Sequence, residues 1–282
     1  VATIVTATGD AIQPSGREGV GAAQRLELTG GRWSPIAARG QARFGAAVFA
    51  LLISLSGGAG PIMADAYFTS GVSGGPSSLN GYTGLIWTPF NGLGEDGAMI
   101  RAWSKAVAFS YRTDLPAKPA QRIDVSGVSL EAEAGWQWHL FGVRLALLAG
   151  AVWRDHRLSP PDPGSSLAGS KFGWSASFDA DYPVWDTLGI MANASYVGPI
   201  DQYWIEGRPY YQFEGGMRVG PNFAVAGGDD YLKARAGLFV TGYEWRFGEG
   251  RRLFFGGEAG AEFDFEDGDL APFVGVHIGF FY

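Results

Sequence analysis

Charged side chains recur two residues apart along the chain: Glu131 and Glu133, Asp179 and Asp181, Glu206 and Arg208, Lys233 and Arg235. A spacing of two places both members of a pair on one face of an extended strand. Arg101, Lys105, Arg144, Lys171, Glu214, Arg218, Glu258 and Glu262 fall on the corresponding face of their own segments, so that face carries both signs of charge. Two kinds of chemistry fit. Opposite charges gathered in a confined interior pair with one another, because a buried charge left alone costs several kcal/mol, and such pairs brace the structure. The same surface can also bind or conduct a polar substrate. Trp103 and Trp204 share the parity of the charged groups, and an aromatic face beside polar groups suits a carbohydrate ring; packing or interfacial tryptophan is the alternative. The candidate substrate-binding residues are therefore Trp103, Trp204, Glu206, Arg208 and Arg235.

Catalysis has little to stand on. The three histidines are His139, His156 and His277, and a hydrolytic site would need a serine and an orienting acid beside one of them. His277 with Glu131 or Glu262 is the arrangement to consider, yet no spacing enforces it, so no catalytic residue is expected and the protein reads as a non-enzyme. Cysteine is absent, which excludes disulfides and thiolate metal sites. Asp229-Asp230 and Glu266-Asp267-Gly268-Asp269 lack the twelve-residue calcium-loop pattern and read as solvated loop tips. With no phosphate-binding glycine motif in a helical context, neither metal nor cofactor is expected. A net charge of -7 provides no basic footprint for nucleic acid.

The elements that hold these residues follow from the apolar half of the same alternation. Val128, Leu130, Ala132, Ala134, Trp136, Trp138 and Leu140 oppose Ser129, Glu131, Glu133, Gln137 and His139, a strand longer than soluble sandwiches usually contain. Leu145, Leu147, Ala149, Ala151 and Trp153 oppose Arg144 and Arg154 in the same way. Twelve such strands are predicted, at 67–73, 80–90, 97–111, 123–140, 143–155, 170–183, 186–198, 201–212, 214–224, 230–243, 251–264 and 270–282. Even strand number, lengths near the 9 to 11 residues of a membrane strand, and one apolar face point to an all-β fold: an antiparallel transmembrane β-barrel with lipid outside and a polar lumen. Val274, Val276, Ile278, Phe280 and Tyr282 close the chain on an alternating strand with an aromatic end. Tight turns such as Leu140-Phe141-Gly142-Val143 alternate in this reading with longer connections at 112–122, 155–169 and 221–229, which predicts short periplasmic turns, long outer loops and both termini in the periplasm.

Ahead of the barrel, Arg39 and Arg43 precede an apolar run from Phe44 to about Gly60, and Ala64-Asp65-Ala66 follows. The apolar core is too short for a spanning helix, but the order of charge, apolar run and small-residue exit describes a signal peptide over 39–66. Residues 1–38 fit no targeting pattern and are expected to be disordered, or a leader created by a start codon set too early. The barrel domain is then 67–282, its partners outer-membrane lipid and lipopolysaccharide.

Three blocks carry a resemblance. They are Leu158-Ser159-Pro160-Pro161-Asp162-Pro163-Gly164-Ser165 with Gly169-Ser170-Lys171-Phe172-Gly173; Ile200-Asp201-Gln202-Tyr203-Trp204-Ile205-Glu206-Gly207-Arg208; and Val219-Gly220-Pro221 with Gly227-Gly228-Asp229-Asp230-Tyr231. Together they resemble the bacterial cellulose biosynthesis protein BcsS family, from which this chain departs by Leu167-Ala168 in the Pro-rich loop. The resemblance implies an outer-membrane accessory of cellulose synthesis or export, with a glucan chain and cellulose-synthesis components as partners. It supplies no catalytic residues. A general diffusion channel for small polar solutes and a barrel enzyme acting on lipid or glycan are the other readings that the residues allow.

Overall fold

A computed structural model describes residues 66–281, apart from 77, 91, 116–117, 199–200, 229–230, 248–250 and 266–267. The expected leader and all of the expected signal peptide but Ala66 lie outside the described residues, as do Asp229-Asp230, Glu266-Asp267 and Tyr282. Twelve strands follow one another: β1 (Ala66–Gly75), β2 (Ser78–Trp87), β3 (Gly97–Leu115), β4 (Lys118–Leu140), β5 (Val143–Ser159), β6 (Gly169–Pro183), β7 (Leu188–Val197), β8 (Gln202–Gln212), β9 (Arg218–Gly228), β10 (Tyr231–Phe247), β11 (Arg251–Asp264) and β12 (Leu270–Phe281). Each pairs antiparallel with the next, and β1 pairs with β12 from Tyr67 opposite Phe281 to Gly74 opposite Val274, closing the ring. Closure leaves no sheet edge with unpaired backbone groups. Among the described residues no helix is long and apolar enough to cross a membrane.

The two faces divide as the alternation predicts. Leu147, Phe172, Trp174, Leu238 and Val274 are exposed on the outside, whereas Arg101, Glu131, Glu133, Glu206 and Glu262 are buried inside. Aromatic side chains gather in two outer bands. One, near the rim where both ends of the barrel lie, includes Trp136, Trp138, Tyr182, Tyr211, Tyr243 and Trp245; the other includes Phe172, Trp174, Phe263 and Phe265. Phe172 and Tyr182 share the outward face of β6. Their separation of ten residues, at about 3.4 Å each and a tilt of about 40°, is roughly 26 Å along the barrel axis.

Glycine shapes the interior at positions that face aromatic rings. Trp103 lies over Gly84, its direct partner across β2 and β3, and Tyr82 lies over Gly71, where a Cβ would meet the ring at 2.7 Å. His156 over Gly127 and Tyr210 over Gly189 repeat the arrangement. At the β4–β5 turn, Phe141 and Gly142 both have positive φ (53° and 80°), the pattern of the tight hairpin turn that matches strand twist.

Several expectations need correction. The β8–β9 turn runs through Gly215 and Gly216, with φ of 91° and 87°, so β9 begins at Arg218 rather than 214. Glu214 consequently sits exposed in that turn and not in the lumen, and the stretch from Pro221 is paired strand rather than loop. Arg112 and Thr113 likewise pair with Arg122 and Gln121, and Leu115 with Lys118, in the β3–β4 hairpin. Connection lengths do not alternate between rims: β2–β3 (88–96) and β5–β6 (160–168) have nine residues each and lie at opposite ends. The asymmetry is in strand length, with β3 and β4 at 19 and 23 residues and β1 and β2 at 10 each. Both nine-residue connections are fastened by inward-pointing side chains. Gln137 Nε2 donates to the Gly92 and Glu95 carbonyls at 3.2 and 2.5 Å, and Tyr111 donates to Asp162 Oδ2 at 2.8 Å.

Candidate functional site

The lumen is crossed by charged side chains that reach strands well beyond their neighbours. From β3, Arg101 donates to Glu133 Oε2 on β4 at 2.8 Å and to Asp179 Oδ2 on β6 at 2.7 Å, and bonds the Ser177 hydroxyl. From β8, Arg208 pairs with Glu206 at 2.8 Å and with Glu258 on β11 at 3.0 Å. Arg218 on β9 pairs with Asp181 on β6 at 2.7 Å, and Arg154 on β5 donates to Gln202 on β8. The links Arg101–Asp179, Arg208–Glu258, Arg218–Asp181 and Arg154–Gln202 each span three strands of twelve, a quarter of the circumference. Neutral amides and a phenol complete them: Asn193 Nδ2 donates to Glu206 at 2.6 Å, Asn222 Nδ2 to Glu258 at 2.7 Å, and Tyr210 to Asp181 at 3.0 Å. Between adjacent strands, Lys105 pairs with Glu131 at 2.6 Å and Lys233 with Glu262 at 3.3 Å.

All five predicted site residues point inward, but they form three groups rather than one surface. Trp103 packs edge-on to Tyr82, with ring centroids 5.8 Å apart, and lies 5.7 Å from the Arg101 guanidinium. Glu206 and Arg208 belong to the link toward Glu258. Arg235 stands over Trp204 at 5.4 Å and over Phe273 at 5.2 Å while pairing with Glu262, so one face of the indole is covered by a cation. Alternation could place these side chains inside; the partners across the lumen depend on strand stagger, which no local pattern encodes. Asn193, Asn222, Tyr210 and Gln202 were missed for that reason. Their inward parity was the available signal.

His277 does not take up the arrangement with Glu131 or Glu262 considered above. His277 Nε2 lies 3.0 Å from Thr241 Oγ1, not beside Glu131 or Glu262, and among the described residues no carboxylate hydrogen-bonds its other nitrogen. His139 Nδ1 lies 3.2 Å from Asp96 Oδ1 at the rim. Among the described residues no three His, Asp or Glu side chains converge into a group that could hold a metal ion.

Solved structures similar to the chain include the KdgM porin, with 10% identity, TM-score 0.43, 77% of this chain covered and 99% of that one. They also include the transport unit of the autotransporter AIDA-I from Escherichia coli, with 9% identity, TM-score 0.43, 77% of this chain covered and 89% of that one. At these values neither carries a functional argument. No curated protein matches the sequence. The family described as cellulose biosynthesis protein BcsS matches residues 66–263, nearly the whole barrel, and the chain belongs to that family.

Proposed function

We propose that this protein is a non-enzymatic outer-membrane barrel that assists cellulose synthesis or export, its lumen braced rather than open to general diffusion. The observation that carries the reading is the set of ion pairs spanning quarter-turns of the lumen, Arg101 to Asp179, Arg208 to Glu258 and Arg218 to Asp181. Twelve strands about 4.8 Å apart and tilted about 40° close on a backbone cylinder roughly 24 Å across, and side chains meeting across it divide that space. A membrane setting is supported by the two aromatic bands and by the distance of roughly 26 Å between Phe172 and Tyr182, close to the apolar band of about 25 Å in outer-membrane barrels. Family membership supports the link to cellulose. Export through a cleavable signal peptide over 39–66, and an orientation with both ends of the barrel in the periplasm, belong to the same reading.

The test pairs cell and bilayer. Deleting the gene should lower extracellular cellulose, and the purified barrel in a planar bilayer should show no steady porin-sized current. Unchanged cellulose would remove the accessory role; a steady large current would favour the general diffusion channel instead.

A further inference from the structure

β12, β1 and β2 are neighbours at the closure of the barrel, and none of the three contains Asp, Glu, Lys or Arg. Among the other nine strands only β7 shares that composition. Every lumen-spanning ion pair described above lies between β3 and β11; the seam strands carry no charged residue of their own, and the charges beside them come from β11, Glu258 opposite Gly275 and Arg252 at 4.9 Å from the Phe281 ring.

We propose that this uncharged sector is a binding track for a linear neutral polysaccharide, a β-glucan chain, with Trp103, Tyr82 and Tyr67 as its aromatic contacts. The proposal rests on the accessory role above and names the ligand class that the lumen takes. The three rings come from successive strands β3, β2 and β1, and each leans the same way, over a glycine of the next strand: Trp103 over Gly84, Tyr82 over Gly71, Tyr67 over Gly279. The glycine removes the side chain that would hold the ring away from the wall, so aromatic surface follows the wall around the seam. Beside the rings the inward positions carry a hydroxyl and an amide, Ser73 and Asn80, of which Asn80 is exposed, while Thr69 is buried with its hydroxyl donating to the Ile278 carbonyl.

That combination matches a glucose polymer. Pyranose rings present apolar C–H faces that stack on aromatic rings and hydroxyl edges that exchange hydrogen bonds with Ser, Thr and Asn. A neutral chain gains little from fixed charge and would have to compete with its hydration. The Lys105–Glu131 pair at 2.6 Å borders the track on β3, where Lys105 is the direct partner of Tyr82. The Arg101 guanidinium lies 5.7 Å from the Trp103 ring centroid, much as Arg235 lies 5.4 Å from that of Trp204.

The experiment is titration of the purified full barrel in detergent with cellohexaose, read by calorimetry and by tryptophan emission, with maltohexaose and an oligogalacturonate as comparison ligands. Wild type should bind cellohexaose more tightly than either, and the affinity should be insensitive to salt between about 0.05 and 0.5 M, because the ligand carries no charge to be screened. Trp103→Ala should weaken binding about tenfold, the loss of one stacking contact, while Trp103→Phe should stay within about threefold of wild type. Heat-modifiable mobility on a gel reports whether each variant still closes. No binding by wild type, affinity that falls with salt, or a folded Trp103→Ala barrel that binds as wild type would each overturn the track; the wild-type arms need no variant to fold. Cellulose output of the deletion strain is read separately. Lost cellulose with no glucan binding removes the track and leaves the accessory role, and unchanged cellulose with glucan binding does the reverse.

Discussion

Replacing Arg101 by Met tests whether the lumen is braced as tightly as its ion pairs imply. Arg101 holds Glu133 Oε2 through Nε at 3.0 Å and Nη2 at 2.8 Å, and the Glu133 side chain is 0% exposed. Its other oxygen has no protein hydrogen-bond partner, so Arg101→Met would leave this carboxylate with only the Ser177 hydroxyl, which donates at 2.9 Å. Asp179, the second partner, is 32% exposed and can turn to water. The cost therefore falls on Glu133, and breaking one side of a buried pair is worth about 3–5 kcal/mol. Methionine keeps most of the arginine stem, so little of that cost comes from lost packing. Adding Glu133→Gln removes the stranded charge and should restore at least about 2 kcal/mol, a coupling read directly from the double-mutant cycle. Urea unfolding of the refolded barrel, followed by tryptophan emission, should shift its midpoint downward by about 2 M for a slope of about 2 kcal/mol per molar. A loss under about 1 kcal/mol, or a double variant less stable than Arg101→Met, would refute the reasoning and mean that water reaches Glu133 freely.

Two further outcomes follow from placement. Leu238 points outward between Ala234, the partner of Phe263 in one aromatic band, and Tyr243 in the other, and is 66% exposed, so Leu238→Arg should cost about 2–4 kcal/mol and reduce the heat-modifiable fraction assembled in membranes. Tyr111→Phe removes the donor that fastens Asp162, and should lower stability by only about 0.5–1.5 kcal/mol while exposing 160–168 to faster cleavage by added subtilisin; cleavage at the wild-type rate would mean that this bond does not hold the loop.

Sequence alone made most of this barrel legible because a period of two survives wherever one face meets an apolar medium and the other a polar lumen. Glu131 and Leu130, or Lys233 and Leu232, announce their sides by chemistry. Where chemistry stops alternating, the reading slips: Glu214 looked luminal by parity, but Gly215 and Gly216 turn the chain there. A bulge between Val240 and Tyr243, with Gly242 at φ 76°, is subtler. It lets Val240 and Tyr243 both face outward, which strict alternation forbids. The candidate site was legible as a list of inward residues and not as a set of partners. Arg208 and Glu258 lie fifty positions apart and three strands round the wall, and only the stagger of a closed sheet brings them to 3.0 Å. Tyr82 and Tyr67 lie on strands without charged residues, so a pattern of alternating charge does not single them out.

The uncharged seam also bears on the order of assembly. Because the lumen-spanning ion pairs join strands within β3 to β11, a curled but still open sheet can already hold Arg101 against Asp179 and Arg208 against Glu258. The last event, zipping β1 against β12 from Tyr67 and Phe281 upward, then joins two strands free of Asp, Glu, Lys and Arg. Neither strand brings an ionised side chain of its own to that moment, so the final step is chiefly backbone hydrogen bonding and the docking of Tyr67 against Phe281, whose ring centroids lie 4.5 Å apart. Placing the neutral strands at both ends of the barrel sequence separates the electrostatic work of folding from the closing of the ring.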